Sequence, residues 1–197
     1  MTESQRRASE TERMYQLKLY GLGGQGVVTA AKLLVEAVTI HEDKYGRSLP
    51  AYGHERRGAP VFAGVMIYEQ PILLSSFVYE PDCVMLFDPS LADMGINVGQ
   101  GVRDHTVLVV NAEGPESLSD DIAKLPWREC YYVNATAIAL EAMGRPILNS
   151  PMLGALAKTG TVDLESVCQA LVGGFGAIRG ESNVRAAREA YSQVRTD

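Results

Sequence analysis

The sequence predicts an α/β domain of three layers, with a mostly parallel sheet between helices and a β-hairpin added to it. Two observations carry this. Residues 15–20 (Tyr-Gln-Leu-Lys-Leu-Tyr) alternate as a strand and run through a glycine-rich turn into a helix-like stretch at 27–39. Short continuous apolar runs then recur at 83–87, 106–110 and 130–133, between helical stretches. Runs of that kind are typical of strands buried on both faces of a parallel sheet. The 197 residues suit one domain, and 46% hydrophobic content is enough for a sizeable core and excludes global disorder.

In chain order, residues 1–13 are polar and charged and read as a flexible leader, with one domain over 14–197. After the first strand, Gly21, Gly23 and Gly26 stand at G-x-G-x-x-G spacing, and Gly24 adds a fourth glycine. Strand, glycine turn and helix in that order place bare backbone N–H groups at a helix N-terminus, where they can hold an anion. A Cβ would block both the positive-φ turn and the approach of a phosphate. The plainer reading is a tight turn that binds nothing. In the helix that follows, Val28, Ala31, Leu34, Val35 and Val38 recur at helical spacing, and Thr29 and Lys32 lie near its start. Residues 41–58 mix His41, Lys44, Arg47, His54, Arg56 and Arg57 with acids and glycines, with neither period, and read as an ordered functional loop. The alternative is a solvated loop whose charges pair with one another.

Residues 61–68 read as a strand, 69–71 as a turn and 72–74 as the returning arm of the hairpin. The three later strands end in Asp88, Asn111 and Asn134. Ligands sit at that edge in open α/β sheets, but Asp and Asn also cap helices, as Asn134 would for a helix at 135–143. Further helices are expected at 115–124, at 152–158 opened by Asn149-Ser150-Pro151, at 161–171 with Asp163 as N-cap, and at 182–194 after a break at 173–176.

Net charge −6 and pI ≈ 5.1 argue against nucleic acid as partner. No apolar run approaches the roughly 20 residues of a membrane span, and no signal core opens the chain, so a cytoplasmic setting is expected. Cys83, Cys130 and Cys168 make no C-x-x-C and suggest core filler, with no metal or cluster site. No P-loop, no catalytic triad signature and no zinc motif is present, so no catalytic residue is assigned. A dinucleotide site would need an acid about 20 residues beyond the motif at a strand end. Glu42 and Asp43 fall near that distance but follow a helix, which leaves a free-standing NAD(P)-binding Rossmann oxidoreductase as the alternative reading.

Three stretches together resemble the gamma subunit (gamma domain) of the 2-oxoacid:acceptor, or pyruvate:ferredoxin, oxidoreductases. They are Gly21 to Leu34, the loop Tyr52-Gly53-His54-Glu55-Arg56-Arg57-Gly58-Ala59-Pro60-Val61, and Pro81 to Leu91 with its Asp88-Pro89-Ser90. Asn149 to Leu156 is a weaker fourth. One departure is Ala59, where a second glycine is common. The resemblance implies a Rossmann-like domain in a complex that converts a 2-oxo acid to an acyl-CoA. Thiamine diphosphate and iron–sulfur clusters would lie on partner subunits: alpha, beta and a ferredoxin-like delta, with a flavin NAD-reducing subunit as a further candidate. This piece would share the coenzyme A site. By motif, Gly23, Gly24, Gln25, Gly26, Thr29 and Lys32 would meet the coenzyme A phosphates. Glu55, Arg56 and Arg57 would meet the nucleotide end or a neighbouring subunit, and Asn149 would add a polar contact. A purely architectural role, with a vestigial glycine turn, is the remaining alternative.

Overall fold

The structure is a computed structural model that describes residues 13–51, 57–73 and 76–197. Strand β1 (Tyr15–Leu22) leads through the glycine turn into helix α1 (Val27–His41). Strands β2 (Tyr45–Ala51) and β3 (Pro60–Tyr68) follow, then β4 (Cys83–Leu86), β5 (Val107–Asn111) and β6 (Glu129–Val133). Among the described residues one sheet runs β2-β3-β1-β4-β5-β6-β7, where β7 is Arg195–Thr196. Its centre, β1-β4-β5-β6, is parallel. β2 and β3 pair antiparallel on one flank, and β7 pairs antiparallel with β6 on the other.

Side-chain alternation divides the core between the two sheet faces. Leu17, Leu19, Ala63, Val65, Met85, Phe87, Val107 and Val109 point to one face. There they pack on α1 and on helices α3 (Ala135–Met143), α4 (Asn149–Ala157) and α5 (Leu164–Gln193). Tyr20, Val84, Leu86, Leu108, Val110 and Tyr132 point to the other face. That second outer layer is thin, built from 3₁₀ turns, loops and the short helix α2 (Asp120–Ala123).

The α/β architecture with its added hairpin is the expected one, but the hairpin is made of other residues. The stretch at 41–58, read as a loop, contains β2, which pairs with β3 from Tyr45↔Tyr68 to Ala51↔Phe62. β2 is an edge strand with Gly46 and Pro50 inside it, and an edge can carry a residue without an N–H. Ile72 and Leu73, expected in the returning arm, lie in no strand, and Leu73 is 90% exposed; Leu74 lies outside the described residues. The helix expected at 115–124 splits into a 3₁₀ turn (Pro115–Ser117) and α2, because Leu118 is extended (φ −95°, ψ 142°) and packs its side chain against the second core.

The break expected at 173–176 narrows to Gly176 (φ 74°, ψ 166°), so α5 is two helical halves, 164–175 and 177–193. They fold back on each other. Arg188 Nη2 donates to Glu165 Oε2 at 2.6 Å, and a Cβ on Gly180 would lie 3.0 Å from Val172 Cα. The second half also presses on buried α4, where a Cβ on Gly154 would overlap the Ala187 carbonyl and come within 2.7 Å of Ala187 Cα. Gly154→Ala is therefore expected to destabilise the fold by about 3 kcal/mol or more. Gly173→Ala, in the same helix pair with nothing within 4 Å of the added methyl, should be neutral or stabilise by up to about 1 kcal/mol. Denaturant melts of the two variants check this pair.

Candidate functional site

The glycine turn is held from three sides. Gly23 N–H donates to Ala59 O (2.8 Å), and Gly58 N–H donates back to Gly23 O (3.0 Å). Gln25 accepts from Leu22 N–H through Oε1 (2.8 Å), and its Nε2 donates to Asp88 Oδ2 (2.7 Å). Leu148 N–H donates to Gln25 O (2.9 Å), which ties the start of α4 to the turn. Gly21 has no room for a side chain: a Cβ would come within 2.6 Å of Val27 Cγ2 and 2.8 Å of Phe87 Cβ. Gly26 is left-handed (φ 88°) and opens α1 without a side-chain cap, and no acid stands in the first turn. The N–H groups of Val27, Val28 and Thr29 are thus the orphan donors of a helix start.

A second helix begins alongside. Asn149, the first residue of α4, is only 2% exposed and lies 3.2 Å from where a Cβ on Gly26 would stand. Its Oδ1 accepts from Ser150 N–H (2.8 Å) and Ser150 Oγ (3.2 Å). Its Nδ2 has no acceptor among the described residues. The open start of α1, with its partial positive charge, therefore lies beside the buried Asn149 amide; α4 adds few main-chain donors, because Ser150 N–H is taken by Asn149 Oδ1 and Pro151 has none.

The α1 start and this amide open onto a cleft of ≈ 510 Å³. Its wall includes Gly23, Gly24, Gly26, Thr29, Arg57 and Asn149 from the residues singled out in the sequence. Arg57 is exposed and leans over the turn, with Cγ and Nε at 3.7 and 3.9 Å from a Cβ placed on Gly24. No described carboxylate pairs with it. Gln25 turns inward as a brace, and Lys32 is exposed on α1 outside the cleft wall. Glu55 and Arg56 lie outside the described residues. Apolar side chains also line the cleft: Leu22, Val27 and Val28 around the turn, and Val61, Ile147 and Phe175, of which sequence reasoning did not assign Ile147 or Phe175 to the site. An aromatic side chain between glycines, Gly174-Phe175-Gly176, was the available signal.

The carboxylate and amides at the strand ends are spent internally. Asp88 holds Gln25 and accepts from Ser90 N–H (3.1 Å) and Oγ (2.6 Å). Asn111 binds Phe87 O and Thr136, and Asn134 caps Ala137 N–H and donates to Glu113. The three thiols are buried, and burial pushes each above its usual pKa, so none is poised as a nucleophile. No cluster of potential metal ligands occurs among the described residues, and no described helix is long and apolar enough to cross a membrane. Glu42, considered as a ribose ligand, accepts from Lys44 Nζ (2.8 Å) and Asp163 N–H (2.8 Å). It sits past the far end of α1, roughly 22 Å from the glycine turn at the rise of an α-helix.

Residues 16–193 match the family described as pyruvate ferredoxin/flavodoxin oxidoreductase. The chain belongs to that family. It is 44% identical to the pyruvate/ketoisovalerate oxidoreductases common subunit gamma of Pyrococcus furiosus, over 92% of this chain and 97% of that one. It is 39% identical to the pyruvate synthase subunit PorC of Methanothermobacter thermautotrophicus, over 92% and 96%. Among solved structures it resembles the pyruvate oxidoreductase subunit PORC of Thermotoga maritima, with TM-score 0.78 and 29% identity over 94% and 99% of the two chains. This member of the pyruvate ferredoxin/flavodoxin oxidoreductases is a gamma-type subunit of a multi-subunit oxidoreductase.

In this gamma subunit the Gln25 brace fixes the turn that the cleft is built on. Gln25→Ala leaves Leu22 N–H and Asp88 without their partner, and is expected to lower stability by about 1–3 kcal/mol. Faster amide exchange around residues 22–26 in the variant checks it.

Proposed function

We propose that this gamma subunit completes a coenzyme A site in a cytoplasmic complex that oxidatively decarboxylates a 2-oxo acid to an acyl-CoA. Thiamine diphosphate and iron–sulfur clusters belong, on this reading, to the alpha, beta and ferredoxin-like delta subunits. The relatives' names point to pyruvate or a branched-chain 2-oxo acid as substrate.

The observation that carries the proposal is the convergence of the α1 start, an arginine with no described acidic partner and the Asn149 amide on one cleft. Coenzyme A carries a pyrophosphate and a 3′-phosphate, about four negative charges near neutrality. Helix-start amides meet a phosphate with fixed donors. Arg57 adds a planar fork suited to phosphate oxygens, which a lysine at the same place would meet only as a point charge. The glycines of the turn, left-handed at Gly24 and Gly26, let the backbone come close enough for the amides to bond directly. The chain's own part in the reaction is to bind and orient: it holds the carrier so that the thiol reaches a centre on another subunit.

Arg57→Ala in the assembled complex is expected to raise the KM for coenzyme A roughly 10- to 100-fold, the scale of a charge-assisted hydrogen bond. Decarboxylation of the 2-oxo acid measured without coenzyme A should be unchanged. Steady-state kinetics with coenzyme A as the varied substrate test this, and an unaltered KM in an intact complex contradicts it.

A further inference from the structure

A cavity of ≈ 420 Å³ shares no lining residue with the cleft at the glycine turn. It sits on the sheet face with the thin outer layer. Strand pairing puts Leu49 of β2, Gly64 of β3 and Lys18 of β1 in one row across three strands. Phe62 and Tyr20 stand two residues along in the paired strands, hence on the same face, with their rings edge to face at 5.3 Å. Gly64 leaves room for the 77–79 segment to come down on the sheet: a Cβ there would lie 3.2 Å from Val78 Cγ2. Phe77 and Tyr79, on either side of Val78 in the chain, line the cavity and are 64% and 69% exposed. Ile96, Asn97 and Gln100 line it as well. Lys18 is the one charged residue among the described lining residues. Its Nζ donates to Gln100 O (2.7 Å) and, at 3.5 Å, to Tyr79 O, which leaves at least one N–H without an acceptor. No described carboxylate pairs with it, although the chain carries a net charge of −6. Glu80, next to Tyr79, is spent on Arg103 at 2.7 Å. Burial draws the Lys18 pKa below the usual lysine value, as expected of an ammonium short of countercharge.

We infer that this cavity binds a small monocarboxylic acid with a branched or aromatic body, its carboxylate paired with Lys18 and its body against the aromatic side chains. The inference goes beyond the coenzyme A reading and does not depend on it. Small-molecule sites have volumes of about 300–1,000 Å³ and are mostly apolar, with a few placed polar groups that set orientation. Tyr20, Phe62, Phe77 and Tyr79 supply the apolar surface, and Lys18 the polar anchor. One ammonium with a spare donor matches one carboxylate. A phosphate would call for more donors than the neutral amides of Asn97 and Gln100 add. The bound carboxylate gives Lys18 the countercharge that the chain itself does not provide, in a setting where partial burial strengthens the pair.

Calorimetric titration of the assembled complex tests this with three probes: phenylacetate, phenylacetamide as the same shape without the charge, and acetate as the charge without the body. Complexes carrying Lys18→Met or Phe77→Ala separate this cavity from sites on other subunits. Phenylacetate is expected to bind, and each of the other two to bind roughly 10-fold more weakly or worse. Lys18→Met should weaken phenylacetate roughly 10- to 150-fold, the scale of a hydrogen bond to a charged group. Phe77→Ala should weaken it roughly 10-fold through lost apolar contact. Phe77 is exposed, so its variant keeps the fold even where Lys18→Met loosens the two loops that Lys18 ties. Equal binding of phenylacetate and phenylacetamide removes the charge pair and overturns the inference. Phenylacetate binding that either variant leaves unchanged overturns it too. So does a complex that binds no phenylacetate, whether the cavity stands open or a neighbouring subunit covers it.

Discussion

The reciprocal hydrogen bonds between Gly23 and the Gly58–Ala59 stretch are the constraint on which the site depends. They clamp the turn after β1 to the chain entering β3, and they bring Arg57 over Gly24 as a direct consequence. They also decide which amides are available. Gly23 N–H, nominally part of an anion-holding loop, is already engaged. The donors left for a ligand are those of the α1 start and of Asn149. On the proposed reading an anion would be met by a helix terminus and a side chain, with the glycine turn serving as the geometry that lets them converge.

The same logic separates support from chemistry along the carboxyl edge of the sheet. Asp88, Asn111 and Asn134 occupy the positions where open α/β sheets place ligand-binding groups. Each is instead spent within the fold, by bonds to Gln25 and Ser90, to Phe87 and Thr136 beyond the neighbouring strands, and to Ala137 and Glu113. Polar groups satisfied in this way rigidify a site and are costly to disturb. Among the described residues that line the cleft none is a carboxylate or a histidine.

Much of the architecture was legible because its signals are local. The β1–turn–α1 unit shows itself through alternation, glycine spacing and helical period. The central strands show themselves as continuous apolar runs because both sheet faces are covered. β2 was not legible: it is an edge strand whose side chains are mostly only half-buried, so Tyr45 to Ala51 has no reason to alternate, and Gly46 and Pro50 read as loop. The fold-back of α5 was partly legible, since glycines marked a break. Which glycine reverses the chain depends on how closely the two halves approach, at Gly180 and Val172. For the cleft, the motif pointed to Gly24, Gly26, Thr29 and Arg57. Gln25 and Lys32 stand apart because their side chains depend on tertiary partners and helix facing. Phe175 escaped notice because its role arises only when a segment some 150 residues downstream of the turn folds onto α1.

The central claim is that, in the assembled complex, the cleft at the glycine turn holds the phosphates of coenzyme A. The most direct measurement is a density map of the assembled complex with coenzyme A bound. The account predicts phosphate density against the amides of Val27 to Thr29 and the guanidinium of Arg57. Coenzyme A lodged wholly on other subunits, with this cleft filled by a neighbouring chain, would contradict it.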